Sequence, residues 1–154
     1  MALGRSFDVA IIGAGVFGAW TAYFLRKSGA RVILLDAYGP ASARASSGGE
    51  SRIIRMGYGA DEIYTRWALR ALPLWKQLFE EAGRHELFQP TGVLWIAHEG
   101  EAYAQATLTE FEKSGARFEK IKGAELRRRY PQIVFDDDAW GIIEPDSGVL
   151  RSEE

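Results

Sequence analysis

Four stretches of the chain are apolar in a way that names their secondary structure. Val9-Ala10-Ile11-Ile12 and Val32-Ile33-Leu34-Leu35 are short and continuous, the pattern of strands buried on both faces. Between them Ala14 to Lys27 has no proline and is rich in helix formers such as Ala19, Ala22, Leu25 and Arg26, with Gly29 where a left-handed cap belongs. Strand, glycine turn, helix and strand together have the size of a βαβ unit. Further on, Ile63, Trp67, Ala71, Trp75, Leu78 and Ala82 recur at helical spacing behind a candidate cap at Asp61. They predict one long amphipathic helix with Trp67 and Trp75 in the core, kinked or divided at Pro73 and ended by Gly83. Glu86–Gln89 and Thr91–Ala97 predict strands around the turn Pro90-Thr91-Gly92. Glu101–Ser114 predicts a one-sided helix with Ala104, Leu108 and Phe111 inward, stopped by Gly115. Arg117–Ile121 predicts a strand, Ala124–Tyr130 a short helix before Pro131, and Trp140–Ile143 a strand before a turn at 144–148. Ser152-Glu153-Glu154 reads as a cap followed by first-turn acids.

The first unit carries chemistry. Gly13-Ala14-Gly15-Val16-Phe17-Gly18 divides the work of a dinucleotide turn. Gly13 turns the chain off the strand, Gly15 leaves room for a pyrophosphate, and Gly18 lets the helix pack on the sheet. The helix start, with Val16 and Phe17, offers N–H groups and partial positive charge to phosphate. Asp36 ends the second strand 18 positions after Gly18, where a carboxylate accepts from a ribose and repels a 2′-phosphate. FAD or NAD is therefore expected in preference to NADP; a glycine turn of structural use alone is the alternative. The uncharged run Val9–Leu25 is no signal peptide or membrane span, because Asp8 precedes it and three glycines interrupt it.

Residues 37–49 turn small and polar, through Ser46-Ser47-Gly48-Gly49, which taken alone is a flexible linker. The next residues, Glu50-Ser51-Arg52-Ile53-Ile54-Arg55, alternate basic and apolar positions. Arg52 and Arg55 at this spacing fit one side of a helical turn, where guanidiniums suit a carboxylate; a solvated arginine pair is the bland alternative. Arg127-Arg128-Arg129 reads as the solvated end of a helix, Asp136-Asp137-Asp138 as a turn, and His85 and His98 as isolated surface residues.

With 154 residues, 47% hydrophobic and 26% charged, the chain is globular in composition. Its formal net charge of −2 gives no reason to expect nucleic acid. The lack of cysteine removes disulfides and thiolate chemistry and fits a reducing, cytoplasmic setting. Met1 to Ser6 reads as a short disordered lead. The expected fold class is α/β: a Rossmann-like βαβ unit followed by the start of an α+β substrate domain, an incomplete fold, since a doubly wound sheet needs more than two strands. The expected divisions are 1–84, 85–145 and a return segment 146–154.

The chain resembles the FAD-dependent oxidoreductases of the D-amino acid oxidase superfamily, nearest the monomeric sarcosine oxidase and N-methyltryptophan oxidase branch. The resemblance rests on the glycine turn, Asp36, the block Ser46 to Arg55, Tyr58-Gly59, Thr91-Gly92-Val93 and Glu144 to Leu150. It implies FAD as cofactor and oxidation of a small-molecule amine or amino acid to an imine, with dioxygen reduced to hydrogen peroxide. It implies Arg52 against the flavin ring, with a catalytic part in stabilising negative charge there, and Arg55 on the substrate carboxylate. Ser46, Ser47, Gly49 and Ser51 would lie near the cofactor, and Thr91–Ile96 in the sheet that roofs the flavin. Ser47 and Gly48 stand where the sarcosine branch usually carries two histidines. The family's chains are well over twice this length, so the lysine tied to oxygen activation and the cysteine that attaches flavin have no counterpart here. By this reading the chain alone is inactive and needs the missing carboxyl-terminal part or self-association. A nicotinamide-dependent dehydrogenase fragment and a non-catalytic nucleotide-binding fragment needing a partner chain are the alternatives.

Overall fold

The computed structural model describes residues 6–152; the expected lead at Met1–Ser6 and the helix start at Ser152–Glu154 lie for the most part outside them. The elements run β1 (Val9–Ile12), α1 (Val16–Lys27), β2 (Val32–Leu35), β3 (Ser51–Ile54), α2 (Glu62–Ala82), β4 (Phe88–Gln89), β5 (Val93–Ala97), α3 (Ala102–Ser114), β6 (Glu119–Lys122), α4 (Gly123–Arg129), β7 (Trp140–Glu144) and β8 (Gly148–Arg151). The chain divides into two compact units, residues 1–52 with 151–154 and residues 53–150. The parting falls within β3 and at the end of β8, and α2 packs on α3 in the second unit.

In the first unit β1 and β2 pair in parallel, Val9 with Val32 through Ile12 with Leu35, and α1 crosses between them. Gly29 takes a φ of +91° just after α1, as a left-handed exit requires. Asp8 ties the strand starts together: its carboxylate accepts from the Arg31 backbone N–H at 2.8 Å and from Nη2 at 2.6 Å. These bonds hold the Asp8 carboxyl down at about 2. The strands are not buried on both faces as the apolar runs led one to expect. Ile12 is 88% exposed and Phe17 87%, and no described residue of this unit is buried. The cause is that the described sheet has only these two strands.

The second unit has a core. Sheet β5-β7-β6 is antiparallel, with Val93 opposite Glu144 and Ala97 opposite Trp140. A second sheet is ordered β3-β8-β4. Ala104, Leu108 and Phe111 of α3 are buried as their spacing foretold. Helix α2 departs from expectation. It runs unbroken through Pro73, and its buried positions are Thr65, Leu72 and Phe79, seven residues apart, while Trp67 is 56% exposed. Trp75 does pack on the core. Asp61 occupies the N-cap position without a capping bond from its side chain; Gly83 ends the helix with φ +65°. Residues 85–87 form a 3-10 turn where a strand was expected. Strand β8 was not foreseen, because a turn with a valine and a leucine after it is too short a signal.

Two surface readings also change. His98 is not isolated: Nδ1 lies 3.0 Å from an Asp138 carboxylate oxygen, and the carboxylate raises the imidazole pKa. His85 Nδ1 lies 3.4 Å from Glu80. The arginine run is engaged too, with Arg128 and Arg129 on Glu125 and Arg129 also on Glu119 at 2.6 Å. Among the described residues no helix is long and apolar enough to cross a membrane.

Candidate functional site

The first unit holds a pocket of about 210 Å³ at the carboxyl ends of its strands, lined by Ala14, Gly15, Asp36, Arg44, Ser46 and Ser47 among others. Each glycine of the turn has a distinct constraint. Gly13 has φ +101°, which a side chain would strain. At Gly18 an added Cβ would stand 1.8 Å from the Gly13 carbonyl oxygen, so the helix sits on the turn only because no side chain intervenes. At Gly15 an added Cβ would meet nothing within 4 Å, and φ is an ordinary −69°. Gly15 is therefore free for folding purposes, and the space beside it opens on the pocket. It is also the N-cap of α1, and no side chain caps that helix start. Unanswered N–H groups and the positive end of the helix dipole face that side.

Asp36 is placed by the fold before any ligand arrives. One carboxylate oxygen accepts the Ala14 N–H at 2.7 Å and the other the Tyr38 N–H at 2.7 Å. Those backbone bonds lower its pKa, with that from Ala14 the largest cause. A carboxylate oxygen has a second acceptor site, so both remain able to take a ribose hydroxyl. Arg44 adds a cation that the motif did not announce. Its guanidinium lies 4.6 Å from the Tyr38 ring centroid, and Nη1 donates to the Tyr38 hydroxyl at 3.1 Å.

The other expected residues are placed as follows. Gly15, Asp36, Ser46 and Ser47 line the one pocket. Phe17 points outward and Val16 is half-buried. Gly49 has φ +136°, and an added Cβ there would come 2.6 Å from Arg52 Nη1, so the glycine makes room for that guanidinium. Arg52 in turn donates to the Ser51 carbonyl at 2.7 Å. The block holding Arg52 is strand β3, not a helical turn. Arg55 follows the end of that strand, so the helical-turn geometry that a spacing of three assumes is not the one adopted.

Arg55 belongs to the second unit. Its guanidinium is flanked by Tyr58 and Trp95, 4.4 and 4.8 Å from the ring centroids, and Nη1 donates to the Gly57 carbonyl. Aromatic faces stabilise the cation and leave the N–H edge of the fork for a planar anion. Beneath this group lies Glu144, 1% exposed. Its carboxylate accepts from the Met56 N–H at 2.5 Å, the Gly57 N–H at 3.2 Å, the Trp95 indole at 2.5 Å and the Ser147 hydroxyl at 2.6 Å. By its sequence Glu144 opens a turn, Glu144-Pro145-Asp146-Ser147-Gly148. A single acid ending an apolar strand run, Gly141-Ile142-Ile143-Glu144, was the available signal, since lone acids are rarely buried without partners.

The chain matches the family model "FAD dependent oxidoreductase" over residues 8–154. It is 34% identical to the monomeric sarcosine oxidase of Arthrobacter sp. (strain TE1826), covering 99% of this chain and 39% of that protein. It is 31% identical to the N-methyl-L-tryptophan oxidase of Yersinia pestis (strain Pestoides F), covering 96% and 39%. Among solved structures, NikD, an unusual amino acid oxidase essential for nikkomycin biosynthesis, superposes with a TM-score of 0.75 at 27% identity, over 97% of this chain and 38% of that one. The L-proline dehydrogenase of P. horikoshii, at 24% identity and a TM-score of 0.78, shares the fold. The chain thus spans about 39% of the length of these curated relatives. With the glycine turn, the placed Asp36 and a family match from residue 8 onward, this chain belongs to the FAD-dependent oxidoreductases of the D-amino acid oxidase family.

Proposed function

We propose that this chain is the amino-terminal portion of an oxidase of amino acids or N-methyl amino acids. The reaction removes two electrons and two protons from a CH–NH unit, one proton from carbon and one from nitrogen, to give a C=N imine, and dioxygen takes up both electrons and both protons to become hydrogen peroxide. FAD, when bound, supplies the two-electron acceptor between amine and dioxygen. The observation that carries the reading is the shared pocket of Gly15, Asp36, Ser46 and Ser47 at the uncapped start of α1. There Gly15 would admit the pyrophosphate, the α1 N–H groups would bind it, and Asp36 would hold the ribose. Arg44 stands on the same wall and would add charge toward the phosphates. Arg52 would place positive charge at the flavin ring, and Arg55 would orient the substrate by its carboxylate. Sarcosine and N-methyl-L-tryptophan name the substrate class of the relatives. Ser47 and Gly48, in place of two histidines, argue for an amine selected differently in this protein.

The test is the visible absorption spectrum of the purified protein after FAD is added and the excess removed. The expected result is retained flavin absorption, with Asp36→Ala weakening affinity by roughly 1.5–3 kcal/mol through loss of charged hydrogen bonds. Retention of NAD and not FAD would turn the assignment to a nicotinamide enzyme. Unchanged FAD affinity in Asp36→Ala would remove that residue from the site.

A further inference from the structure

The second unit buries four polar side chains around one short irregular segment, residues 55–59. Thr65 is 0% exposed, Thr107 2%, Glu144 1% and Ser147 0%. Their bonds converge. Thr65 Oγ1 donates to the Met56 carbonyl at 2.9 Å, and Thr107 Oγ1 accepts the Gly59 N–H at 3.1 Å. Glu144 accepts the N–H groups of Met56 and Gly57. The segment lies in no helix and no strand ladder, so its buried main-chain groups would otherwise be orphaned. A buried carboxylate is a costly way to meet that need unless it is itself fully satisfied, and Glu144 is, with four donors on two oxygens.

We propose that Glu144 is a positioning residue for Arg55, one that sets the guanidinium and the Trp95 face as a recognition platform for the substrate carboxylate. The inference rests on the reading of Arg55 as the carboxylate ligand. The linkage runs through the main chain. Glu144 fixes the Gly57 N–H, while the carbonyl of the same Gly57 accepts from Arg55 Nη1. The same carboxylate fixes Trp95 through its indole N–H, and Trp95 flanks the guanidinium. The packing is close. A Cβ at Gly57 would stand 3.1 Å from each of Glu144 Oε1, Thr107 Cγ2 and Trp95 Cζ2. Met56 is held on Oε2 and Gly57 on Oε1. An amide at 144 would therefore confront one main-chain donor with a second donor, whichever way it turned.

The experiment is steady-state kinetics on the full-length, FAD-loaded protein with substrates that differ only in the carboxylate. N-methylglycine is paired with dimethylamine, and N-methyl-L-tryptophan with N-methyltryptamine. Arg55→Met, Glu144→Gln and the double variant are compared with the parent, and a thermal melt is run on each. Arg55→Met should abolish the preference for the carboxylated partner; a preference left intact would end the Arg55 reading and the role of Glu144 with it. Where Arg55→Met behaves as expected, Glu144→Gln should raise KM for the carboxylated amine by about tenfold, leave the decarboxylated one within about twofold, and add nothing to Arg55→Met. An equal loss on both partners, or a full Glu144→Gln effect in the Arg55→Met background, would show Glu144 to be a packing residue alone and overturn the proposal. Should Glu144→Gln give no cooperative melt, Gly57→Ala displaces the same linkage and is read against the same outcomes.

Discussion

The two units build their candidate sites in opposite ways. In the first, every element of the candidate site comes from about 40 consecutive residues, and the constraints are local: a φ of +101° at Gly13, no room for a side chain at Gly18, and backbone N–H groups of Ala14 and Tyr38 on Asp36. In the second, the main chain beside Arg55, at Met56 and Gly57, bonds a carboxylate 88 and 87 residues further along in sequence, enclosed by a core. The first unit has no buried described residue, while the second holds Phe111 and Leu126 at 0% exposure. A site built from backbone groups needs a correct turn; a site built from side chains needs a packed interior to fix it.

Removing a core side chain sharpens that contrast most. Phe111→Ala should cost about 3–5 kcal/mol in the second unit, as for a fully buried aromatic. Hydrogen exchange should show the loss in β5, β6, β7 and α3 and leave protection in β1 and β2 unchanged; uniform loss across both would mean that the units unfold together. Within the first unit, two glycines separate folding from binding. Gly18→Ala forces a methyl onto the Gly13 carbonyl and should cost roughly 1–3 kcal/mol, the range for overpacking. Gly15→Ala meets nothing and should leave the melting temperature in place while lowering FAD affinity by about tenfold, a fold-change worth 1.4 kcal/mol. Equal melting shifts in the two variants would deny this division of labour.

The smallest effect concerns the His98–Asp138 pair on the surface of the second unit. Asp138 raises the folded His98 pKa above 6.5. The pair's contribution is thus complete below the unfolded value and declines as pH rises through the raised folded value. His98 in turn lowers the Asp138 pKa from 3.8, so that side's contribution is present above 3.8 and lost as pH falls through the folded value. Melting temperature between pH 6 and 8 should fall slightly with rising pH, and the slope should vanish in Asp138→Ala; an unchanged slope would assign it to another group.

Legibility followed the same division. Strands β1 and β2 fall on the residues their apolar runs marked, and the turn and Asp36 fall in one pocket, because contacts within a βαβ unit are set by residues near in sequence. Helix α3 is legible because Ala104, Leu108 and Phe111 repeat at helical spacing and join one core. The buried stripe of α2 departs from its apolar spacing at Trp67, a large aromatic that stays exposed, whereas Thr65 is buried and donates to the Met56 carbonyl. Burial of a polar group is decided by a distant partner that periodicity does not register. Likewise arginines three apart at 52 and 55 fit a helical turn by spacing alone, while the pairing of β3 in the β3-β8-β4 sheet is a long-range choice.

By itself, then, the sequence determined the glycine turn, the acid at the end of the second strand and the family to which they belong, since all three are written in short-range spacing. The tertiary structure alone decided what stands under Arg55. A buried carboxylate finds its donors only when strand β7 is laid beside β5, and the free energy of leaving either partner unpaired in a dry interior makes the arrangement specific.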